Sequence, residues 1–193
     1  MRLRDAAFAL LLALSASASA GETAPFDVLV FGDPQPQTAV DVGYYRRDIV
    51  EPPLGKQHAK LGISLGDIAS DNPSLYPAIK ATDAKLGIPW LYVPGNHDVD
   101  ADAASDAESL RSFHHAFGAD TFLRRTALAN FIGLDDVVAT SGQKPAYIGG
   151  FRPDQFYFLE KTLPTLPKDR LLVLAVHIPL FEEAGKDSFR DED

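Results

Sequence analysis

Residues 90–98 read WLYVPGNHD: four apolar residues, a Pro-Gly break, then an amide, an imidazole and a carboxylate in direct succession. Such a run predicts a short buried strand over Trp90 to Val93 that delivers Asn96, His97 and Asp98 at its carboxyl end. The same phrasing recurs outward along the chain. Upstream, Leu61, Ile63 and Leu65 alternate and stop at Gly66-Asp67, and Phe26 to Phe31 (FDVLVF) stops at Gly32-Asp33-Pro34. Downstream, Leu128 to Leu134 predicts a strand, and Leu171 to Val176 (LLVLAV) is a continuous apolar run ending at His177.

Helical signals fill the intervals. Asp41 is expected to cap a helix carrying Val42, Tyr45 and Ile49 on one face, broken by Pro52-Pro53. Asn72-Pro73 opens a second helix in the preferred cap-then-proline order, and Gly87 closes it. Ser105 and Glu108 form a capping-box pattern for a third, presenting Leu110, Phe113 and Phe117 and ended by Gly118. A long glycine-bearing loop precedes a fourth, through Phe156, Leu159 and Leu163. Strands alternating with helices predict one α/β layered domain whose strands are parallel and buried on both faces.

In open parallel sheets, ligands gather beyond the carboxyl ends of the strands. Those ends here carry Asp33, Asp67, Asn96-His97-Asp98 and His177. Asp33 and Asp67 are 34 residues apart, and Asp67 and Asn96 are 29 apart, each about one βαβ step, so the three belong on neighbouring strand ends. Oxygen and imidazole donors suit Mn, Fe or Zn rather than soft metals.

Composition narrows the function from the other side. The 193 residues contain no Cys, which removes disulfide frameworks, thiolate zinc sites and cysteine nucleophiles. A net charge of −9 disfavours a nucleic-acid-coating role. Arg2 and Arg4, the apolar stretch Ala6 to Leu14 and the small residues Ala18-Ser19-Ala20 read as a cleavable signal peptide over 1–20, cut after Ala20. Its apolar stretch is too short to span a bilayer and no later run approaches that length, so a secreted or periplasmic protein without a transmembrane segment is expected.

At these residues the chain resembles the calcineurin-like metallophosphoesterase superfamily. Gly66-Asp67 and Gly95-Asn96-His97-Asp98 match its second and third motifs, and His177 in AVHIPL fits its later lone histidine. The first motif is Asp33-Pro34-Gln35, with Gln where the wider family has His, as in a secreted or membrane-associated bacterial subgroup with similar wording around LGDI, LDDV and KDRLLVL. The resemblance implies a layered α/β/β/α sandwich over 26–180, followed by an acidic tail at 181–193. It implies two divalent metal ions (Mn, Fe or Zn): Asp33, with Gln35 as a neutral oxygen donor, holding the first, Asn96 and His177 the second, and Asp67 bridging them.

His97 then stays off the metals as proton donor or charge stabiliser, with Asp98 as the carboxylate that orients it. The implied reaction is hydrolysis of a phosphomonoester or phosphodiester, by metal-held hydroxide, in a phosphorylated small molecule or protein. The family's final Gly-His-x-His has no counterpart after His177, so the C-terminal part of the sandwich is expected to be missing. A catalytically inactive relative that binds metal or a phosphorylated ligand, and a non-functional truncated fragment, stay open as alternatives.

Other features favour plainer roles. Asp98, Asp100 and Asp102 mimic the start of an EF-hand loop, but Ala103 and Ser109 stand where Gly and Glu are required. His58, His114 and His115 are expected in packing or surface roles, Arg46-Arg47 on a helix surface, and Tyr147 to Arg152 in a loop near the substrate mouth.

Overall fold

The computed structural model describes residues 26–140 and 146–180. The expected signal peptide and acidic tail lie outside the described residues. Strands β1 (Asp27–Phe31), β2 (Ala59–Leu65) and β3 (Trp90–Val93) form a parallel sheet in the order β1-β2-β3. Phe31 lies opposite Ser64 and Leu65 opposite Val93, so the three strands end together. Their side chains alternate faces. Leu61, Ile63 and Val93 face the second sheet, while Leu29, Phe31, Trp90 and Tyr92 pack towards the helices. Gly62 has a steric reason to be glycine: a Cβ there would lie 2.5 Å from the Trp90 ring.

Three helices cover this sheet: α1 (Ala39–Tyr45), α2 (Tyr76–Asp83) and α3 (Arg111–Phe117). Val42, Tyr45, Ile79, Leu110 and the fully buried Phe113 make the core between them and the strands. The second sheet has the order β4-β5-β8, from Phe122–Arg125, Ala129–Gly133 and Leu171–Ala175. Phe131, Ala129 and Ala175 meet Leu61, Ile63 and Val93 between the sheets. Helix α4 (Pro153–Thr162) carries Phe158 and Leu159, which pack with Ile132 on the outer side. The layers therefore run helix, sheet, sheet, helix, as the α/β/β/α expectation required. No described helix is long and apolar enough to cross a membrane.

Several local expectations are corrected. The strands are not all parallel: β4 runs antiparallel to β5, and the supposed glycine loop contains β6 (Val137–Ala139) and β7 (Tyr147–Gly149), an antiparallel pair. Nor are all strands buried on both faces. Among the described residues β2 and β5 pair on both sides while β1 and β8 pair on one, and Leu171 is 65% exposed. The continuous apolar run of β8 suggested a centre strand because hydrophobicity alone does not report how many neighbours a strand has.

Helix α1 is capped by Thr38, whose hydroxyl accepts from the Asp41 N–H, while Asp41 Oδ2 accepts from the Thr38 N–H at 2.9 Å. Asp41 is thus the third helical residue of the box rather than its cap. Beyond Tyr45 the chain widens into a π-helical turn over Arg46–Val50, which buries Val50 and turns Ile49 outward. The Ser105/Glu108 box does not form. Helix α3 starts at Arg111, and the Asp100 carboxylate accepts the Ser112 N–H at 2.9 Å instead.

Candidate metal centre

The loops after β1, β2 and β3 and the end of β8 converge at one point. Among the described residues, Asp33, Asp67 and His177 form the one group of acidic and imidazole side chains whose ligand atoms lie within 4.8 Å of one another. Asp67 is 2% exposed, and Asp33 is exposed. Asn96 joins them, its Oδ1 lying 3.1 Å from His177 Nε2. The backbone is bent to achieve this. The four described non-glycine residues with positive φ are Asp33 (50°), Gln35 (40°), Asp67 (52°) and Asp71 (52°), all beside the cluster. Such residues are uncommon elsewhere and concentrate where geometry serves a site.

Two glycines clear the space. A Cβ on Gly95 would fall 2.3 Å from Asp67 Oδ1, and one on Gly66 would fall 2.8 Å from His177 Nδ1. Gly66 also has φ +92°, a conformation that costs glycine little. The GD and GN pairs are therefore a steric device as well as a ligand pair.

The protonation logic of the centre is readable from its hydrogen bonds. His177 Nδ1 lies 2.8 Å from the Leu65 carbonyl, which can only accept, so Nδ1 carries the proton. In the neutral ring Nε2 then offers a lone pair. It faces Asn96 Oδ1 at 3.1 Å and Asp67 Oδ1 at 3.4 Å, two further acceptors. A proton on Nε2, a half-turn of the Asn96 amide or a cation among these atoms reconciles that convergence. An Asp, Asn and His donor set with glycine-cleared space fits a divalent metal.

Asp67 is held on both oxygens. The His97 N–H donates to Oδ1 at 2.9 Å, and the Gln35 side-chain amide donates to Oδ2. The Gln35 N–H also donates to the Asp67 carbonyl at 3.0 Å. Gln35 thus reaches the centre with its amide nitrogen towards the acid. A half-turn of the amide would present its oxygen, the donor expected from the sequence.

Asp98 is not the partner of His97. Its buried carboxylate accepts from the Gly95 N–H at 2.8 Å, the Ile68 N–H at 3.2 Å and the Tyr76 hydroxyl at 2.9 Å. Burial pushes its pKa up to about 6 against the pull of these donors. It ties the second motif to the third. The place beside His97 is taken by Asp71, whose Oδ1 lies 3.0 Å from His97 Nδ1 while its N–H donates to the His97 carbonyl at 3.2 Å. Asp71 was not singled out from the sequence. Its signal was an acid in the same strand-end loop as Asp67, directly before Asn72-Pro73.

Asp136 is a second residue that sequence reasoning passed over. It is fully buried and accepts the His177 N–H at 3.1 Å and the Ile178 N–H at 3.0 Å, pinning the turn that aims His177. Burial raises its pKa. Its neighbour Asp135 is raised to about 7 by burial, although it pairs with Arg152. Arg152 also bonds Asp120 at 3.0 Å, and His114 Nε2 lies 3.2 Å from the same carboxylate. Arg152 therefore belongs to an internal ion network.

No protein-family model matches the chain, and no curated protein matches it. Among solved structures it is similar to a purple acid phosphatase from yellow lupin (Lupinus luteus) seeds, at 17% identity and a TM-score of 0.49. That match covers 78% of this chain and 30% of the lupin chain. It is also similar to a dimetal phosphatase from Danio rerio, at 13% identity and a TM-score of 0.47, covering 81% of this chain and 70% of that one. The chain thus spans less than a third of the lupin protein's length.

Proposed function

We propose that the chain is a metal-dependent phosphoesterase acting on a phosphomonoester or phosphodiester, with two divalent ions of the Mn, Fe or Zn kind at the strand ends. The observation that carries this reading is the convergence of Asp33, Asp67 and His177 ligand atoms within 4.8 Å of one another, with Asn96 Oδ1 3.1 Å from His177 Nε2. Asp67, Asn96 and His177 would hold one ion, and Asp33 with Asp67, aided by a turned Gln35 amide, the other. Bound there, divalent metal supplies Lewis-acid stabilisation of phosphoryl charge and a water made acidic enough to attack.

The protein's own residues supply positioning and a proton. The His97 N–H bond to Asp67 fixes the histidine beside the ligand acid. Asp71 accepts from Nδ1, so Nε2 is the atom that holds and releases a proton to the leaving oxygen. Asp98 acts on neither, but keeps the Gly95 turn closed beneath them. A secreted or periplasmic location, with cleavage after Ala20, belongs to the same proposal and is checked by the mass of the exported chain.

The deciding experiment measures Mn, Fe and Zn bound to the purified full chain, with hydrolysis of p-nitrophenyl phosphate and bis(p-nitrophenyl) phosphate. His97→Ala should lower kcat by about 10²–10⁴-fold, the usual contribution of a general acid, with metal content retained. An unchanged rate in that variant would sink the role of His97. Metal binding without turnover in the parent chain would favour the inactive, ligand-binding relative.

A further inference from the structure

The π-helical turn after α1 has a consequence at the surface. The sequence places Ile49 on the buried face of the helix, but the extra residue in the turn rotates the register, so Val50 fills the core and Ile49 is 47% exposed. Wide turns of this kind are rare and occur mostly at functional positions. Ile49, Val30 and Tyr44 (51% exposed) then line one cleft of about 730 Å³ between β1 and α1. The loop Asp33–Gln35 lines it as well, so the cleft shares Asp33 with the metal centre. That volume is in the range of small-molecule sites.

The charges around the cleft are already used. Asp48 is closed by the Arg47 guanidinium, with both oxygens 2.6 Å from its nitrogens. Asp41 Oδ2 takes the Thr38 N–H and hydroxyl. Beside Asp33 and the amides of Gln35 and Gln37, what remains is apolar wall and the exposed Tyr44 ring. The Arg47 guanidinium lies 4.9 Å from the centroid of Tyr44, holding that ring from one side. A braced, exposed aromatic surface favours a flat partner over an aliphatic chain, because planar rings stack.

We infer that this cleft is the leaving-group subsite and takes a planar aromatic ring attached to the phosphoryl group bound at the metal centre. The inference rests on the phosphoesterase reading for the position of the phosphoryl group. An aryl ester and a nucleotide both present such a ring, the first adjacent to phosphorus and the second across a ribose.

The test measures binding to the metal-loaded full chain by calorimetry, without turnover. Phenylphosphonate is compared with methylphosphonate, and the 5′-methylenephosphonate analogue of adenosine monophosphate with that of ribose 5-phosphate, all with P–C bonds that hydrolysis does not break. The ring-bearing member of at least one pair should bind about tenfold tighter or more, a difference readily resolved. Tyr44→Ala should bring that ratio close to one, and Ile49→Ser should reduce it. Val40→Ala, at an exposed α1 residue outside the cleft, should leave it unchanged. Equal affinities within both pairs, a ratio unaffected by Tyr44→Ala, or no binding of any probe would overturn the subsite. A retained, Tyr44-dependent ratio in a chain that hydrolyses nothing would uphold the subsite while refuting the hydrolase, so the two failures are distinguishable.

Discussion

Asp83 and Asp67 are both buried, 1% and 2% exposed, yet their surroundings could hardly differ more. Asp83 ends α2 in the helix-side core and accepts from the Tyr45 hydroxyl at 2.6 Å and the Tyr92 hydroxyl at 2.9 Å. Its site is closed, with a donor for each oxygen. Asp67 also has a donor for each oxygen, the His97 N–H and the Gln35 amide, but it sits at a strand end against Asn96 Oδ1 and His177 Nε2, on a backbone of positive φ. The first arrangement is complete without a ligand and holds the helix layer to the sheet. The second gathers the ligand atoms that the proposed cation would complete. Burial alone does not mark a functional acid; the chemical type of its neighbours does.

The sharpest way to break this comparison is to neutralise each acid. Asp67→Asn should abolish metal binding and lower turnover by more than about 10³-fold, since it removes the shared ligand of the centre. In the metal-free chain the same variant keeps one amide oxygen as acceptor for the His97 N–H or the Gln35 amide, so its melting point should fall less than that of Asp83→Ala. Metal content unaffected by Asp67→Asn would refute the bridging role. Asp136→Ala comes next. Releasing the two N–H groups that aim His177 should weaken metal affinity by about 10–100-fold, the usual cost of losing a residue that orients a ligand. Titration with Mn or Zn measures it.

Asp83→Ala should do the reverse of Asp67→Asn. It leaves two buried tyrosine hydroxyls without acceptors and should destabilise the fold by about 2–4 kcal/mol with unchanged turnover per folded molecule. Denaturant unfolding and an activity assay read both halves. The smallest effect is in pH. Burial raises Asp83 to about 6 despite its two donors, above the ordinary carboxylate value of 3.8. The folded chain therefore holds this proton more tightly than the unfolded chain. Its contribution to stability is full below about pH 4 and is lost as pH rises through about 6. Asp83→Asn should remove on the order of 1–2 kcal/mol of that pH-dependent stability, below the roughly 3 kcal/mol limit set by the pKa difference. An identical pH profile in the variant would show that Asp83 binds its proton equally in the folded and unfolded chain and would refute the raised value.

The first sheet and its motifs were legible because every relevant signal is local. β2 and β3 show period-two alternation or a short apolar run, and Gly66-Asp67 and Gly95-Asn96 end them directly. The second sheet was less so. β4, β6 and β7 are three or four residues long and gain their pairing from distant neighbours, which no window of sequence contains. Ile49 was misplaced because a π-helical turn breaks the 3.6-residue period without a Gly or Pro to mark it. Asp71 and Asp98 exchanged roles for a related reason. Adjacency to His97 suggested Asp98, but the turn at Gly95 folds that carboxylate back onto its own loop, and a left-handed residue at 71 brings the other acid across. Asp136 follows Leu134 and Asp135 in a segment whose acids show no surface periodicity, a pattern that a buried acid needing N–H donors explains in retrospect.

The imidazole of His177 meets the Leu65 carbonyl across 112 residues of chain and Asn96 across 81. Neither contact exists until the two sheets have docked, so the complete ligand set is a product of the last long-range closure rather than of any hairpin or local turn. An unfolded chain offers its donors singly. A cation that needs all of them discriminates between the two ensembles, and at one hundred times its dissociation constant adds about 2.7 kcal/mol to the free energy of unfolding. If the proposed centre fills, its occupancy and the cohesion of the sandwich become one equilibrium, and depleting metal should loosen the union of two sheets whose described strands pair only within their own sheet.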